Sequence, residues 1–150
     1  MPNTPALVGA GMSIVSGGTE ASEADVAVVE ALFGAVGDVV VLAETHQDAC
    51  TAISGCGPAY MALFVDALAR AGVREGLSRA LAERLALQTM RGTVELIEAT
   101  GQHPEQIIDA VSSTGGSTIA AVTELEARGV RAAIASAVRA AVVRSRELGR

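Results

Sequence analysis

Seven residues, Ser112-Ser113-Thr114-Gly115-Gly116-Ser117-Thr118, stand between two helical patterns and open directly into the second. Two adjacent glycines remove the Cβ atoms that keep a ligand away from the backbone, and they permit the positive φ values of a cupped turn. The run Ser117-Thr118-Ile119-Ala120-Ala121-Val122-Thr123-Glu124-Leu125 reads as a helix. Its first N–H groups lack partners and its dipole is positive at that end. Together with the neighbouring hydroxyls these donors suit a carboxylate or a single phosphate, whereas the long cradle and lysine of a nucleotide P-loop are missing. The same residues also read as a plain helix–helix connection in which Ser117 or Thr118 is an N-cap.

Other groups offer less chemistry. Gly9-Ala10-Gly11-Met12-Ser13-Ile14 has two glycines of a dinucleotide fingerprint but not the third. That fingerprint follows a strand and opens a helix, whereas here prolines precede the glycines and a strand-like run follows. No nucleotide site is expected from this chain alone. His46 lies four residues before Cys50, but a metal site needs at least one more ligand, so no metal is expected.

The elements that must position the turn change character near residue 45. Before it come a β-like run from Gly11 to Ser16, a helical pattern starting at Ser22 with Asp25 in its first turn, and the β-branched run Val39-Val40-Val41-Leu42. A β-α-β unit with one short parallel pair cannot bury both faces of its sheet, so it reads as the edge of a larger α/β domain. After it the pattern is helical to the end, with breaks at Gly55 to Pro58, Gly72 to Leu77, Gly101 to Pro104, the glycine turn, and Gly129. Ser78 caps a helix whose Leu81, Leu85, Thr89, Gly92 and Leu96 recur on one face, and Gly101 closes it. In the last helix Ile134, Val138, Ala141, Val142, Ser145 and Leu148 share a face, and Arg131, Arg139, Arg144 and Arg146 remain solvated. These stripes are core or interface.

Composition narrows the class. The chain has 150 residues, about one domain, is 50% hydrophobic and only 2% aromatic. Such a core packs small residues closely, and its excess apolar surface is expected to be buried against a second copy. Mean hydropathy is +0.41, yet the uncharged run Ala49 to Val65 contains Gly55, Gly57 and Pro58 and reads as too broken to span a bilayer. A net charge of −6, with arginine as the only base besides histidine, leaves no basic stripe for nucleic acid. The start, Met1-Pro2-Asn3-Thr4-Pro5, has no secretory pattern. A cytoplasmic location with reduced Cys50 and Cys56 is expected.

Three motifs in this order and spacing, Met1-Pro2-Asn3-Thr4-Pro5, Ser54-Gly55-Cys56-Gly57-Pro58-Ala59-Tyr60 and the glycine turn, resemble pyrroline-5-carboxylate reductase. His103-Pro104 and the closing Arg144-Ser145-Arg146-Glu147-Leu148-Gly149 extend the likeness through the whole chain. The resemblance implies a mainly α chain. On that resemblance, a short β-α-β remnant of a Rossmann domain (residues 1–44) is expected to be followed by an all-helical substrate-binding and dimerisation bundle (residues 45–150), and roughly a hundred residues with the cofactor loop would lie ahead of Met1.

Carried over residue by residue, the resemblance makes Ser113, Gly115, Gly116, Ser117 and Thr118 the seat of the substrate carboxylate, through Ser113 and the amides of Gly116, Ser117 and Thr118. Thr118 is also the catalytic candidate, because the matching hydroxyl lies by the ring nitrogen. A neutral hydroxyl is a weak acid, so it reads as a positioning donor and proton relay. Asn3 becomes a candidate contact at the nicotinamide end, or else a turn residue between two prolines. Thr51, Ser54, Gly57 and Pro58 line the same cleft, where Pro58 also suits a helix start. Tyr60 reads as core. Family members usually have proline where Thr114 stands and serine where Cys56 stands; Thr114 loosens the turn, and Cys56 is a weaker hydrogen-bond donor.

The implied function of the complete enzyme is NADPH- or NADH-dependent reduction of 1-pyrroline-5-carboxylate to L-proline, in a homodimer or higher assembly. No cofactor is expected to bind this chain alone, which is therefore expected to be inactive by itself. The alternative is a truncated, non-enzymatic helical module that dimerises or holds small carboxylates.

Overall fold

The computed structural model describes residues 1–149. It opens with a 3-10 turn, Thr4–Val8, entered through Pro5 and closed by Gly9 in the left-handed region (φ 74°). Strand β1 (Gly11–Val15) is followed by helix α1 (Glu23–Gly34) and strand β2 (Gly37–Val41). The strands pair in parallel, from Gly11 opposite Gly37 to Val15 opposite Val41. Ser22 caps α1 as expected: its hydroxyl accepts from the Asp25 N–H and the Asp25 side chain accepts from the Ser22 N–H, so two orphan donors are satisfied reciprocally.

A second 3-10 turn (Glu44–His46) leads into α2 (Gln47–Cys50), a π turn (Thr51–Gly55) and α3 (Gly57–Arg74). The expected break at Gly55 to Pro58 does not interrupt the helix. The chain stays helical from Glu44 to Arg74, 31 residues long and apolar enough by length and composition to cross a membrane. The irregularity at Gly55 to Pro58 is absorbed by one wider turn, closed where the Cys56 N–H donates to the Thr51 carbonyl at 2.9 Å.

Four helices follow: α4 (Arg79–Thr100), α5 (Pro104–Val111), α6 (Ser117–Ala127) and α7 (Val130–Leu148). Ser78 caps α4 and Gly101, at φ 63°, ends it. Pro104 occupies the first turn of α5, where its missing N–H costs nothing, and the His103 ring and the Gln106 side chain cap that helix reciprocally.

The residues fall into two compact units, Met1–Met61 together with the chain from Ile134 onward, and Ala62–Ala133. The first buries Ser13, Ile14 and Val15 of β1 and Ala52 of the π turn. It is tied at its far end by the Ser145 hydroxyl, which donates to Asp48 at 2.6 Å, and by Arg146 on the same carboxylate. Arg146 is thus paired rather than merely solvated. The second buries Ala69, Ala82, Ala86 and Ile107. A Cβ on Gly72 would stand 3.1 Å from that of Ala82, so glycine is what lets α3 and α4 meet at their hairpin.

Candidate functional site

The glycine turn closes a hairpin of α5 and α6 inside the second unit. After α5 the chain leaves the helix at Ser112 (φ −103°, ψ 92°), whose N–H still bonds the Asp109 carbonyl at 3.1 Å. Gly115 then takes φ 65°, the left-handed region that glycine enters without a Cβ penalty. The Gly116 N–H donates to the Ser113 carbonyl at 3.0 Å, so the amide expected to be free at Gly116 closes the turn instead. Gly116 has a second steric requirement. A Cβ there would fall on the Ser113 hydroxyl, which packs against the bare glycine.

The helix start also differs from the capping alternative. Gly116, extended at φ −78° and ψ 172°, is the N-cap of α6, and no side chain caps the helix. Ser117 and Thr118 are therefore the first two helical residues. Neither hydroxyl is consumed as a cap, and both amides belong to the first turn, whose N–H groups have no acceptor within the helix. Ser113 and Ser117 are exposed and Thr118 is half-buried. The Ser112 hydroxyl is buried with no partner among the described residues. The Ser117 and Thr118 amides, the hydroxyls of Ser113, Ser117 and Thr118, and the positive end of α6 form a donor set that has no hydrogen-bond acceptor among the described residues. Such a set fits a small anion bearing two oxygens.

The open end of the same hairpin is held by Arg131, a feature the periodicity did not reveal. Its guanidinium reaches Glu105 in the first turn of α5 and Glu126 in the last turn of α6. The sequence pattern alone puts Arg131 among the solvated arginines. Its two carboxylate partners lie 26 and 5 residues away in the chain, a relation that helical spacing does not display. The hydrogen bonds it donates to Glu126 and then Glu105 hold its pKa above the ordinary arginine value.

The residues expected near a nicotinamide lie in the first unit. The Asn3 oxygen accepts from the Met12 N–H at 2.9 Å and its amide nitrogen donates to the Ser54 carbonyl at 3.0 Å. Asn3 is thus also the extended residue that precedes the 3-10 turn. Thr51 and Ser54 turn their hydroxyls back onto the helix, to the Gln47 and Cys50 carbonyls. Gly57 and Pro58 are the first two residues of α3. Asn3 and Ser54 are therefore brought together by a direct bond, and the substrate candidates Ser113 to Thr118 belong to the second unit. Tyr60 is half-buried. Desolvation, and then the neighbouring Cys56, push its pKa above the ordinary phenol value, so it stays neutral near pH 7.

An apolar groove of about 220 Å³ lies between α3 and α4, lined by Leu68, Gly72, Leu77, Ala82, Leu85, Ala86 and Thr89. It has no convergent donors and is not part of either polar cluster. No group of three or more metal-ligating side chains occurs among the described residues. Cys50 and Cys56 are both free thiols.

Comparison with known proteins agrees with the motifs. Residues 44–148 match the family model described as pyrroline-5-carboxylate reductase dimerisation. The pyrroline-5-carboxylate reductase of Synechocystis is 54% identical over 150 residues, all of this chain and 56% of that protein. That of Arabidopsis thaliana is 51% identical over 148 residues, 99% of this chain and 54% of that protein. The crystal structure of the Plasmodium falciparum pyrroline carboxylate reductase with NADP bound superposes with a TM-score of 0.96 at 39% identity, covering 100% of this chain and 60% of that one. The chain thus spans a little over half the length of the curated relatives it matches. With a family model over most of its length, and relatives of about half its sequence identical, the chain belongs to the pyrroline-5-carboxylate reductase family.

Proposed function

We propose that the polypeptide carrying these residues reduces 1-pyrroline-5-carboxylate to L-proline with NADPH or NADH, and that this chain supplies its substrate-binding and dimerising half. The observation that carries the reading is the glycine turn, whose first-turn amides and uncapped hydroxyls have no acceptor among the described residues. A carboxylate is the anion that two adjacent first-turn amides and the Ser113 hydroxyl can share. With the carboxylate held there, the Thr118 hydroxyl orients the imine nitrogen. It serves as a positioning donor, since the proton that this nitrogen gains on reduction must come from a better acid than an alcohol or be relayed from water.

We place no seat for the dinucleotide phosphates among the described residues. The pair Gly9 and Gly11 leads into strand β1 rather than from a strand into a helix. Bound reduced nicotinamide supplies the hydride, and the residues described here hold the acceptor and exclude misorientation. We assign residues 1–44 to the dinucleotide-binding half and residues 45–150 to the helical half; the family match over 44–148 supports that division. A homodimer is supported by the same match and by the exposed leucine rows of α3 and α4. No nucleic-acid or membrane partner is proposed. The apolar run Glu44–Arg74 is read as interface, and a cytoplasmic location is consistent with two free cysteines.

Calorimetric titration of the chain with L-proline tests the substrate half. Binding that falls about tenfold in Thr118→Ala, the loss of one hydrogen bond at a charged ligand, supports it; no proline binding overturns it. Oxidation of NADPH by the polypeptide in the presence of the imine tests the reaction. Proline binding and a dimeric mass without turnover favour the second reading, a helical module that dimerises and holds small carboxylates, which the scarcity of buried side chains in the second unit also supports.

A further inference from the structure

Pro58 stands four residues after Ser54. Within a continuous helix the Ser54 carbonyl would accept from the N–H of residue 58, but proline has none, and its ring crowds the carbonyl four residues back. Two features of the structure answer that defect. The helix widens into the π turn Thr51–Gly55, and the Asn3 side chain donates to the Ser54 carbonyl at 3.0 Å from 51 residues away. The other end of the same carboxamide accepts from the Met12 N–H at 2.9 Å, at the start of β1.

We infer that Asn3 is a positioning residue that replaces the hydrogen-bond donor Pro58 removes, and in doing so locks the Thr4–Val8 turn to the head of α3. The half-buried Ser54 carbonyl needs a partner, and among the described residues the Asn3 amide is the side chain that provides it. Asparagine is the residue type the position demands. The two backbone groups it bridges are one donor and one acceptor, and a carboxamide offers one of each at its two ends. Aspartate keeps the acceptor and loses the donor.

The test is a double-mutant cycle on the full chain, read by thermal unfolding. Asn3→Asp lowers Tm by roughly 3–8 °C when residue 58 is proline. In the Pro58→Ala background, where an N–H is restored for Ser54, the same change lowers Tm by less than half as much. Equal shifts in the two backgrounds overturn the inference. Should Asn3→Asp fail to fold, recovery of a cooperative transition on adding Pro58→Ala supports it, and no recovery overturns it. The unaltered protein gives an independent signature. Asn3 is the only asparagine in the chain, and one of its two side-chain amide protons exchanges with solvent at least about tenfold more slowly than in a free side chain; exchange of both at the free rate overturns the clamp.

The consequence at the cofactor rests on the reductase reading. There, Asn3→Asp raises the KM for the reduced dinucleotide several-fold and leaves the KM for the imine unchanged, a split that general destabilisation does not produce. Equal rises in both overturn the positioning role. Absence of turnover in the parent protein counts against the reductase reading alone, because the unfolding cycle and the proton exchange need no turnover.

Discussion

The first unit buries two β-branched side chains, Ile14 and Val15, at successive positions of a strand and so on its opposite faces, and fastens its edges with the Asn3 carboxamide and the Asp48–Ser145 bond. The second buries three alanines and one isoleucine. On its surface it carries Leu63 at 68% exposure, Leu87 at 57% and Leu85 at 50%. An alanine contributes a single methyl to a core, whereas a leucine left in water forgoes about 1.5–3 kcal/mol. The first unit also leaves large side chains in water, Leu7 at 90% exposure and Leu32 at 67%, so what sets it apart is its fastening by long-range side-chain bonds and not a closed surface. The second presents most of its hydrophobic content outward, and a second copy with the same leucine rows is the proposed cover.

The largest expected effect tests that contrast. Leu85→Arg places a charge in the apolar groove of the second unit, so the mass by light scattering falls to that of a single chain or the helical signal is lost. A variant with parental mass and Tm would break the comparison. Next comes Gly116→Ala, which drives a methyl onto the Ser113 hydroxyl. Proline affinity falls tenfold or more, equivalent to about 1.4 kcal/mol, and calorimetry with unchanged affinity would show that the cupped geometry is dispensable.

Cap removal in each unit sharpens the contrast at a smaller scale. Ser22→Ala dismantles a reciprocal box and costs about 1 kcal/mol in a denaturant titration. Ser78→Ala removes one long bond of 3.4 Å and costs less; the reverse order would mean that α4 depends on its cap more than α1 does. The smallest effect is electrostatic. Hydrogen bonds from Arg70 and then Arg79 hold the Asp66 pKa below the ordinary aspartate value. A carboxylate depressed in the folded state stabilises above its unfolded pKa, and that stabilisation is lost as pH falls through the folded value. Asp66→Asn is therefore expected to flatten the acid limb of the stability curve below about pH 4, and only at low salt, since these partners are exposed. A pH profile identical to that of the parent would remove the pair from the account.

Local chemistry was legible wherever it is local. Ser22 with Asp25, Ser78, Gly101, and the break before Pro104 lie where propensity puts caps and stops, because each is decided by residues within one turn, whereas the His103 cap was not read from the sequence. The glycine turn was legible for the same reason. Its interior was not, for whether Gly116 or Ser117 begins α6, and whether the Gly116 amide is free, depends on how Ser113 folds back over the glycine. The break expected at Gly55 to Pro58 failed on a nonlocal ground. Proline disfavours a helix by removing a bond, and here Asn3 supplies the missing donor from a distant loop.

Element order, the parallel β-α-β unit and the composition of the glycine turn follow from the sequence by itself, since steric preference and hydrogen-bond capacity act between near neighbours. Three matters were decided by tertiary structure alone: the Asn3 bridge, the Arg131 clamp across the α5–α6 hairpin, and the sparse core that leaves the leucine rows of the second unit uncovered. Each joins or separates groups far apart in the chain. Such distances are set by the packing of whole elements, which no local preference encodes.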